Sequence, residues 1–217
     1  GHEAGVAITT AVNNTIIGAN AGDALTTGAQ NAVLGTFALT TDNLGSYTTA
    51  LGYNALSVQN YATATNSYNT AVGGRAGQAV TTGIYNTLIG GLAGDALTDA
   101  DSNVVVGVSA LGTDTLGSQS VAIGTNALTT QNFTTATDSY NVAVGSDAGY
   151  AVSTGTWNPL IGGLAGDALT TGTYNTALGY AALTTDDVGN RSTAIGQGSL
   201  HNQNIATSNT TYNVGCG

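Results

Sequence analysis

The stretch Asn86-Thr87-Leu88-Ile89-Gly90 decides the fold, because close copies of it recur along the whole chain. Two of them, Asn14-Thr15-Ile16-Ile17-Gly18 and Asn175-Thr176-Ala177-Leu178-Gly179, differ from it only by aliphatic exchanges. We name the closing glycine of each copy the anchor. The anchors are Gly1, Gly18, Gly35, Gly52, Gly73, Gly90, Gly107, Gly124, Gly145, Gly162, Gly179, Gly196 and Gly217. Successive anchors lie 17, 17, 17 and 21 residues apart, and this set of spacings occurs three times.

The spacings sum to 72 residues and divide the chain into three super-repeats: 1–72, 73–144 and 145–217. Their regular phasing predicts one continuous repeat rod. Repeat rods need atypical end units for solubility, and neither end of this chain departs from the pattern. We therefore expect a segment of a longer fibre, or a unit that stacks head to tail into a filament.

Positions between the anchors keep the same register. The third residue after the anchor is Ala in eleven of twelve units, with Ser199 as the exception. The fourth residue runs Gly, Gly, Leu, Leu through each super-repeat. The seventh is aliphatic where the fourth is Gly, and Asp or Gln where the fourth is Leu. Each unit thus keeps one large apolar side chain, which indicates that each fills a fixed volume of core.

A unit of 17 residues is too short for a helical-hairpin repeat, which needs about 33. It is typical of one coil of a parallel β-solenoid. The hexapeptide β-helix would require an aliphatic residue six positions after Ile17, where Asp23 stands. The sequence therefore predicts an all-β parallel solenoid of the β-roll type, with about 12 rungs of 17, 17, 17 and 21 residues. One strand should end at each anchor, and a second should cover the third to ninth places after it.

The two residues before each anchor point to opposite faces of the first strand. The nearer is aliphatic in eleven of twelve units, with Cys216 in the last, and the farther is apolar in eleven. A strand that is apolar on both faces is buried on both faces. We expect parallel rods to associate side by side along the second face. The alternative is a wider single-chain solenoid that covers this face itself. Cys216 should be a buried small hydrophobe.

Two further features recur with the repeat. Asn stands four residues before the anchor in nine of twelve units, which predicts a ladder of stacked amides along the rod. The 21-residue units carry four extra residues within 59–67, 131–139 and 203–211. These bulges should recur on one side of the rod. A binding role and a spacing role are both open for them.

Composition excludes several classes of function. Charged residues make up 6% of the chain, the net charge is −10, and the only cations besides His are Arg75 and Arg191. Binding to nucleic acid or to an anionic membrane surface has no electrostatic basis in such a chain. No apolar run approaches the length of about 20 residues that a membrane span needs. A single Cys rules out an internal disulfide framework.

The residues provide no convergent catalytic constellation, and we predict no enzyme activity, no cofactor and no metal. His2 and His201 lie at opposite ends of the chain. The carboxylate clusters Asp186-Asp187 and Asp99 with Asp101 do not recur between super-repeats, and we place both at turns. Asp23, Asp95 and Asp167 recur but are 72 residues apart, so a turn role is favoured over calcium binding. N-glycosylation motifs begin at Asn13, Asn132, Asn190 and Asn209.

Several anchor motifs resemble a known group of proteins. Ser120-Val121-Ala122-Ile123-Gly124, Ser192-Thr193-Ala194-Ile195-Gly196 and Asn175-Thr176-Ala177-Leu178-Gly179-Tyr180 are similar to the head repeats of trimeric autotransporter adhesins. They also resemble repeats of phage tail fibres and bacterial surface fibres. The resemblance covers every unit. It implies a left-handed parallel β-roll, three chains packed around an axis, and an extracellular fibre or adhesin.

Together these observations predict a structural shaft of an extracellular fibre, on a cell surface or a virion, built from a side-by-side homotrimer. The alternative is a glycan- or ice-binding solenoid adhesin module. It would use the bulges on a cell-surface glycan, or the Thr-rich face that pairs such as Thr26-Thr27 suggest. Because adjacent Thr side chains point to opposite faces, a flat ice-binding array is the weaker form of this alternative.

Overall fold

The computed structural model describes residues 1–205 and 207–217, and all regular structure in this part of the chain is β. Its strands are β1 Thr15–Ile17, β2 Ala32–Leu34, β3 Gly45–Ser46, β4 Thr49–Leu51, β5 Thr65–Asn66, β6 Thr70–Val72, β7 Thr87–Ile89, β8 Val104–Val106, β9 Gly117–Ser118, β10 Val121–Ile123, β11 Thr137–Asp138, β12 Val142–Val144, β13 Pro159–Ile161, β14 Thr176–Leu178, β15 Thr193–Ile195 and β16 Val214–Cys216. Among the described residues no helix is long and apolar enough to cross a membrane.

Twelve three-residue strands stack into one parallel sheet that runs the length of the molecule. Its order is β1-β2-β4-β6-β7-β8-β10-β12-β13-β14-β15-β16, so each strand pairs with the corresponding strand of the next coil. Thr15 lies opposite Ala32 within a super-repeat, and Thr49 lies opposite Thr70 across a bulge. The fold is therefore a parallel β-solenoid with one coil from each anchor to the next. Its first strand ends at the anchor, as predicted.

The predicted second strand is wrong in extent. Places three to nine after the anchor form turns, and extended pairing outside the long sheet is limited to β3 with β5 and β9 with β11. The backbone explains this, because the second and fourth residues after the anchor take the left-handed conformation. Asn54 and Leu56, for example, have φ of 55° and 48°. Left-handed residues at alternate positions bend the chain and prevent extension.

The core is a column of apolar side chains enclosed by the coils. From Val33 to Ala194 the residue two before each anchor, such as Leu88 or Val105, is at most 1% exposed, and the Ala three after each anchor has no exposed surface from Ala21 to Ala182. The prediction of one large apolar side chain per coil is confirmed from the coil of Leu25 to that of Leu183, whereas Ile8 of the first coil is 38% exposed and Leu200 of the last is half-buried. Leu97 supplies it from the seventh place and Leu111 from the fourth, and both are fully buried.

The anchors are glycine because their backbones stack on one another. Gly107 has φ of 146°, and a Cβ built on it would lie 2.3 Å from the carbonyl oxygen of Gly124 in the next coil. A contact that short cannot be relieved by a side-chain rotation, since its partner is backbone. Any side chain at this position would separate adjacent coils, which accounts for the unbroken series of anchors.

The asparagine ladder is present, but its amides bond mainly to backbone rather than to one another. Asn86 Oδ1 accepts the backbone N–H of Asn103 at 3.0 Å, and Asn86 Nδ2 donates to the carbonyl of Ala100 at 2.7 Å. Most of these Asn side chains are fully buried. Each amide therefore ties its strand to two places in the next coil and satisfies backbone groups that the narrow turns leave unpaired.

Candidate functional surfaces

The outer face of the long sheet carries an aliphatic stripe. We define it as the residue before each anchor, in the order Ile17, Leu34, Leu51, Val72, Ile89, Val106, Ile123, Val144, Ile161, Leu178, Ile195 and Cys216. Ile17 is 55% exposed, Ile123 37% and Leu178 46%, although Ala122 and Ala177 beside the last two are buried. The alternative of a wider single-chain solenoid is therefore wrong, because within residues 1–205 and 207–217 no strand covers this face.

Cys216 lies at the end of the aliphatic stripe and is exposed. The expectation of a buried Cys is wrong. The sequence pattern predicts a core position directly before an anchor, whereas the structure turns Cys216 outward and leaves its strand neighbour Gly215 half-buried.

A hydrogen-bonded polar network fills the interior of the coils that begin at Gly35 and Gly52. Gln59 Nε2 donates to Asp42 Oδ2 at 2.7 Å, and Asn69 Nδ2 donates to Gln59 Oε1 at 2.9 Å. The hydroxyl oxygens of Thr48 and Ser67 are 2.6 Å apart. The same network recurs with Asp114, Ser120, Gln131, Ser139 and Asn141, and again with Asp186, Ser192, Gln203, Thr211 and Asn213.

The Asp of each network is fully buried and closes a local turn. Asp42 Oδ1 accepts the backbone N–H of Gly45 at 2.9 Å, and Asp186 Oδ1 accepts that of Gly189. Burial raises the pKa of Asp42, and the hydrogen bond from Gln59 works in the opposite direction. Every polar atom of the pair has a partner inside the rod, so the network is a structural element and offers no open catalytic group.

The bulges are anchored in the core by one aromatic side chain. Tyr61 is 5% exposed, its hydroxyl donates to the carbonyl of Gly83 at 2.9 Å, and its pKa is raised chiefly by burial. Phe133 takes the equivalent place in the second bulge and is equally buried. The third bulge contains Ala206, which lies outside the described residues. In the first bulge the exposed residues are Asn60, Ala62, Thr63, Ala64 and Asn66.

Threonine hydroxyls along the rod donate to the next coil instead of facing solvent. Thr26 Oγ1 donates to the carbonyl of Asn43 at 2.9 Å, Thr98 Oγ1 to that of Thr115 at 3.0 Å, and Thr170 Oγ1 to that of Asp187 at 2.9 Å. These protons are thus engaged within the chain. A regular solvent-facing array of free hydroxyls, as an ice-binding face would present, does not form at these residues.

Two aromatic columns, which the sequence pattern did not predict, stand five residues before their anchors. The first aromatic column is Tyr47, Tyr68 and Tyr85, with ring centroids 5.0 and 5.7 Å apart. The second is Tyr140, Trp157 and Tyr174, with centroids 4.2 and 6.2 Å apart, continued by Arg191 and Tyr212. The sequence does contain a signal for these columns, because their aromatic residues stand at the same distance before the anchor when the units are aligned.

The carboxylates considered as catalytic or metal ligands do not converge. Asp186 is buried but Asp187 is exposed, so this pair spans the wall of the rod. Asp23 Oδ1 accepts the hydroxyl of Thr40 at 2.5 Å, and Asp167 accepts that of Thr184. Within residues 1–205 and 207–217 no group of three or more His, Cys, Asp or Glu side chains is arranged to hold a metal ion.

The remaining predicted positions lie apart on the surface. His2 and His201 are exposed near opposite ends of the rod, and Asn13, Asn132 and Asn209 of the glycosylation motifs are exposed as well. Asn190 is half-buried, and its Oδ1 accepts the backbone N–H of Thr173. Of these residues the structure brings together Asn190 and Asn209, because the Nδ2 of Asn190 donates to the backbone carbonyl of Asn209 at 3.2 Å.

No protein-family model matches the chain, and neither a curated protein nor a solved structure does so.

Proposed function

We propose that this chain is a structural shaft that associates side by side with further copies of itself in an extracellular fibre. The aliphatic stripe is the observation that carries this proposal. A parallel sheet of twelve strands is closed on its inner face by the core, while its outer face leaves Ile and Leu side chains about half exposed. A row of that length is unusual for a surface without a partner.

The dimensions of the stripe support a lateral contact. Twelve strands at about 4.8 Å each give a face roughly 58 Å long. At a width of about 10 Å, one such face covers on the order of 600 Å², somewhat below the roughly 800 Å² per partner of a standard interface. Each copy in a trimer meets two neighbours, and the resemblance to trimeric adhesin heads favours three copies over two.

The hydrogen bonds between coils support a mechanical role for the chain. Every coil is bonded to the next by the sheet, the asparagine ladder and the threonine hydroxyls. Both Arg residues are exposed, and the chain has no Lys, so trypsin has only two sites. An extracellular location is part of the same proposal, because a fibre shaft must persist among proteases.

The glycan- or ice-binding alternative has less support. The threonine hydroxyls described above are engaged, and the first two bulges bury their aromatic residue. A bulge-mediated glycan contact would depend on the few exposed residues from Ala62 to Asn66. Loss of glycan binding on shortening that bulge would favour this alternative.

Sedimentation equilibrium of the full chain at micromolar concentration tests the proposed association, because it measures the mass of the assembly. We expect a mass of three chains. The double variant Ile89→Asp/Ile123→Asp places charges in the middle of the stripe and should give monomer, because burial of unpaired charge is costly. Val58→Asp is the matched control, since Val58 has 41% exposure, similar to Ile123, but stands six places after its anchor. A monodisperse monomer for the unmodified chain would contradict the proposal.

A further inference from the structure

The two aromatic columns occupy one line along the rod and are interrupted in two consecutive coils. Ser102 and Gln119 hold the equivalent place there, between Tyr85 of the first column and Tyr140 of the second. At about 4.8 Å per coil these two rings lie three coils, or about 14 Å, apart. One face of each ring therefore has no aromatic neighbour. We name the stretch between them the ring gap.

The second aromatic column shows which group such a gap accepts. Arg191 follows Tyr174 in this line, and its guanidinium carbon lies 5.1 Å from the Tyr174 centroid and 5.8 Å from that of Tyr212. A guanidinium thus takes the place of a ring and is held between two aromatic faces. Both distances are within the range of a cation–π contact.

Three carboxylates without a cationic partner flank the ring gap. Asp101 directly precedes Ser102, and its Oδ1 accepts the backbone N–H of Ile84 at 2.7 Å. Asp99 stands two residues earlier and is exposed, as is Asp138, whose strand pairs with Ser118. In the described part of the chain the one ion pair within 4 Å joins His2 and Glu3. Burial raises the pKa of Asp101, and the negative charges of Asp99 and Asp138 add to that rise.

The aromatic residues are not required by the turn in which they stand. Tyr85 and Tyr140 have φ of 61° and 49°. Bulky residues are uncommon in this left-handed region, and Asn is preferred there. Other coils use Asn13, Gln30 or Gln119 at the same place. Retention of Tyr at a strained position points to a role for its side chain at the surface.

We propose that the ring gap binds an arginine side chain of a basic partner peptide. The guanidinium stacks on the free face of Tyr85 or Tyr140, and the carboxylates of Asp99, Asp101 and Asp138 supply the opposite charge. Arginine fits better than lysine, because a planar guanidinium stacks on aromatic faces and an ammonium does not. The net charge of −10 attracts any cation, whereas the stacked rings favour the planar guanidinium of arginine over the ammonium of lysine.

Fluorescence anisotropy with a labelled octa-arginine peptide tests the site, with octa-lysine as the charge-matched probe. We expect octa-arginine to bind the full chain about tenfold more tightly, as one or two cation–π contacts imply. Ser102→Tyr/Gln119→Tyr fills the ring gap with residues that this position already accepts elsewhere. It should reduce octa-arginine affinity about tenfold. The matched control Gln30→Tyr lengthens the first column at its other end and should leave affinity unchanged.

A second pair of variants separates charge from stacking. Asp99→Asn/Asp138→Asn should weaken both peptides, whereas Tyr85→Gln/Tyr140→Gln should remove only the preference for arginine. Equal binding of the two peptides to the unmodified chain would overturn the proposal, because it would reduce the effect to net charge. So would unchanged affinity in the variant with a filled gap. If that variant instead changed the mass of the chain in sedimentation without peptide, the gap would belong to a contact between copies, and the proposal would also fail.

Discussion

Two kinds of coil fill the same interior place with opposite chemistry. In the apolar coils, which begin at Gly1, Gly18 and their counterparts 72 and 144 residues later, an aliphatic residue such as Leu97 stands seven after the anchor. In the polar coils, which begin at Gly35, Gly52 and their counterparts, a buried Asp or Gln stands there and Leu enters from the fourth place. The two kinds stack in one sheet with the same register.

The difference shows that each coil has an interior of fixed volume. Either apolar or polar side chains can fill this volume, provided that every buried polar atom has a hydrogen-bond partner. Gly94 illustrates the volume. A Cβ built on it would lie 2.8 Å from Leu97 and 2.9 Å from Leu88, so an apolar coil cannot also hold a fourth-place Leu. Between two neighbouring polar coils Gln131 donates to Asp114 and accepts from Asn141, and Asp114 also accepts the backbone N–H of Gly117. The burial of this pair is tolerated because neither side chain has an unpaired polar atom.

The largest effect should come from an unpartnered polar group in an apolar coil. Leu97→Asn places an amide where the surrounding side chains are aliphatic, and we expect a loss of about 4 kcal/mol or more in the free energy of unfolding. Leu97→Ala is the control for volume alone and should cost about 3 kcal/mol. Denaturant unfolding followed by circular dichroism measures both. Equal losses would mean that the apolar coils do not discriminate against polar groups.

A smaller effect should appear when the pair in a polar coil is separated. Asp114→Ala and Gln131→Ala each leave the other partner buried without its bond, and each should cost about 2–3 kcal/mol. The double variant should cost less than the sum of the two, with a coupling energy of about 1–3 kcal/mol. Strict additivity in this cycle would show that the contact at 2.6 Å contributes nothing to the stability of polar coils.

The smallest effect should be a dependence of stability on pH that arises from buried and half-buried Asp residues. The folded-state pKa of Asp42 is raised above the ordinary 3.8, so folding favours its protonated form. This contribution is complete below pH 3.8 and is lost as the pH rises through the raised pKa. Raised pKa values of Asp95 and Asp101 act in the same direction.

We therefore expect the melting temperature to fall by a few degrees as the pH rises from about 3.8 through the raised pKa values of these carboxyl groups. Asp42→Asn should reduce that slope. Hydrogen exchange, corrected for intrinsic rates, should place part of the change at residues near Gly45, where the Asp42 carboxylate accepts a backbone N–H. A melting temperature that rises over this interval would contradict the assignment.

The sequence alone predicted the solenoid, the strand before each anchor and the single large apolar residue per coil. These features depend on contacts between equivalent positions of neighbouring coils. A departure at such a position disturbs the contacts of its coil with both neighbouring coils, and the pattern is therefore strict. The anchors show this most clearly, because backbone approaches backbone at Gly107 and Gly124.

The errors concern how one coil turns, which the repeat period does not encode. Left-handed positions are held by Leu56, Tyr85 and Arg191 as well as by Gly, so composition did not reveal the bends that replace the second strand. A polar residue at the seventh place was not recognised as buried, because its partner stands 17 residues away in the next coil. Cys216 was placed inside because both faces of its strand are apolar.

The asparagine ladder has a consequence for a rod under tension. The bonds of the ladder and of the sheet run from each coil to the next, along the axis of the rod. A force along the axis therefore acts on every contact between neighbouring coils, one after another. Every gap then carries the same force, and the weakest one sets the breaking load. Most gaps carry a ladder bond, and the gaps after Thr48, Ser120 and Ser192 carry a contact between hydroxyl groups instead, so that strength is distributed along the rod. Adding coils would lengthen such a rod without lowering the force that it withstands.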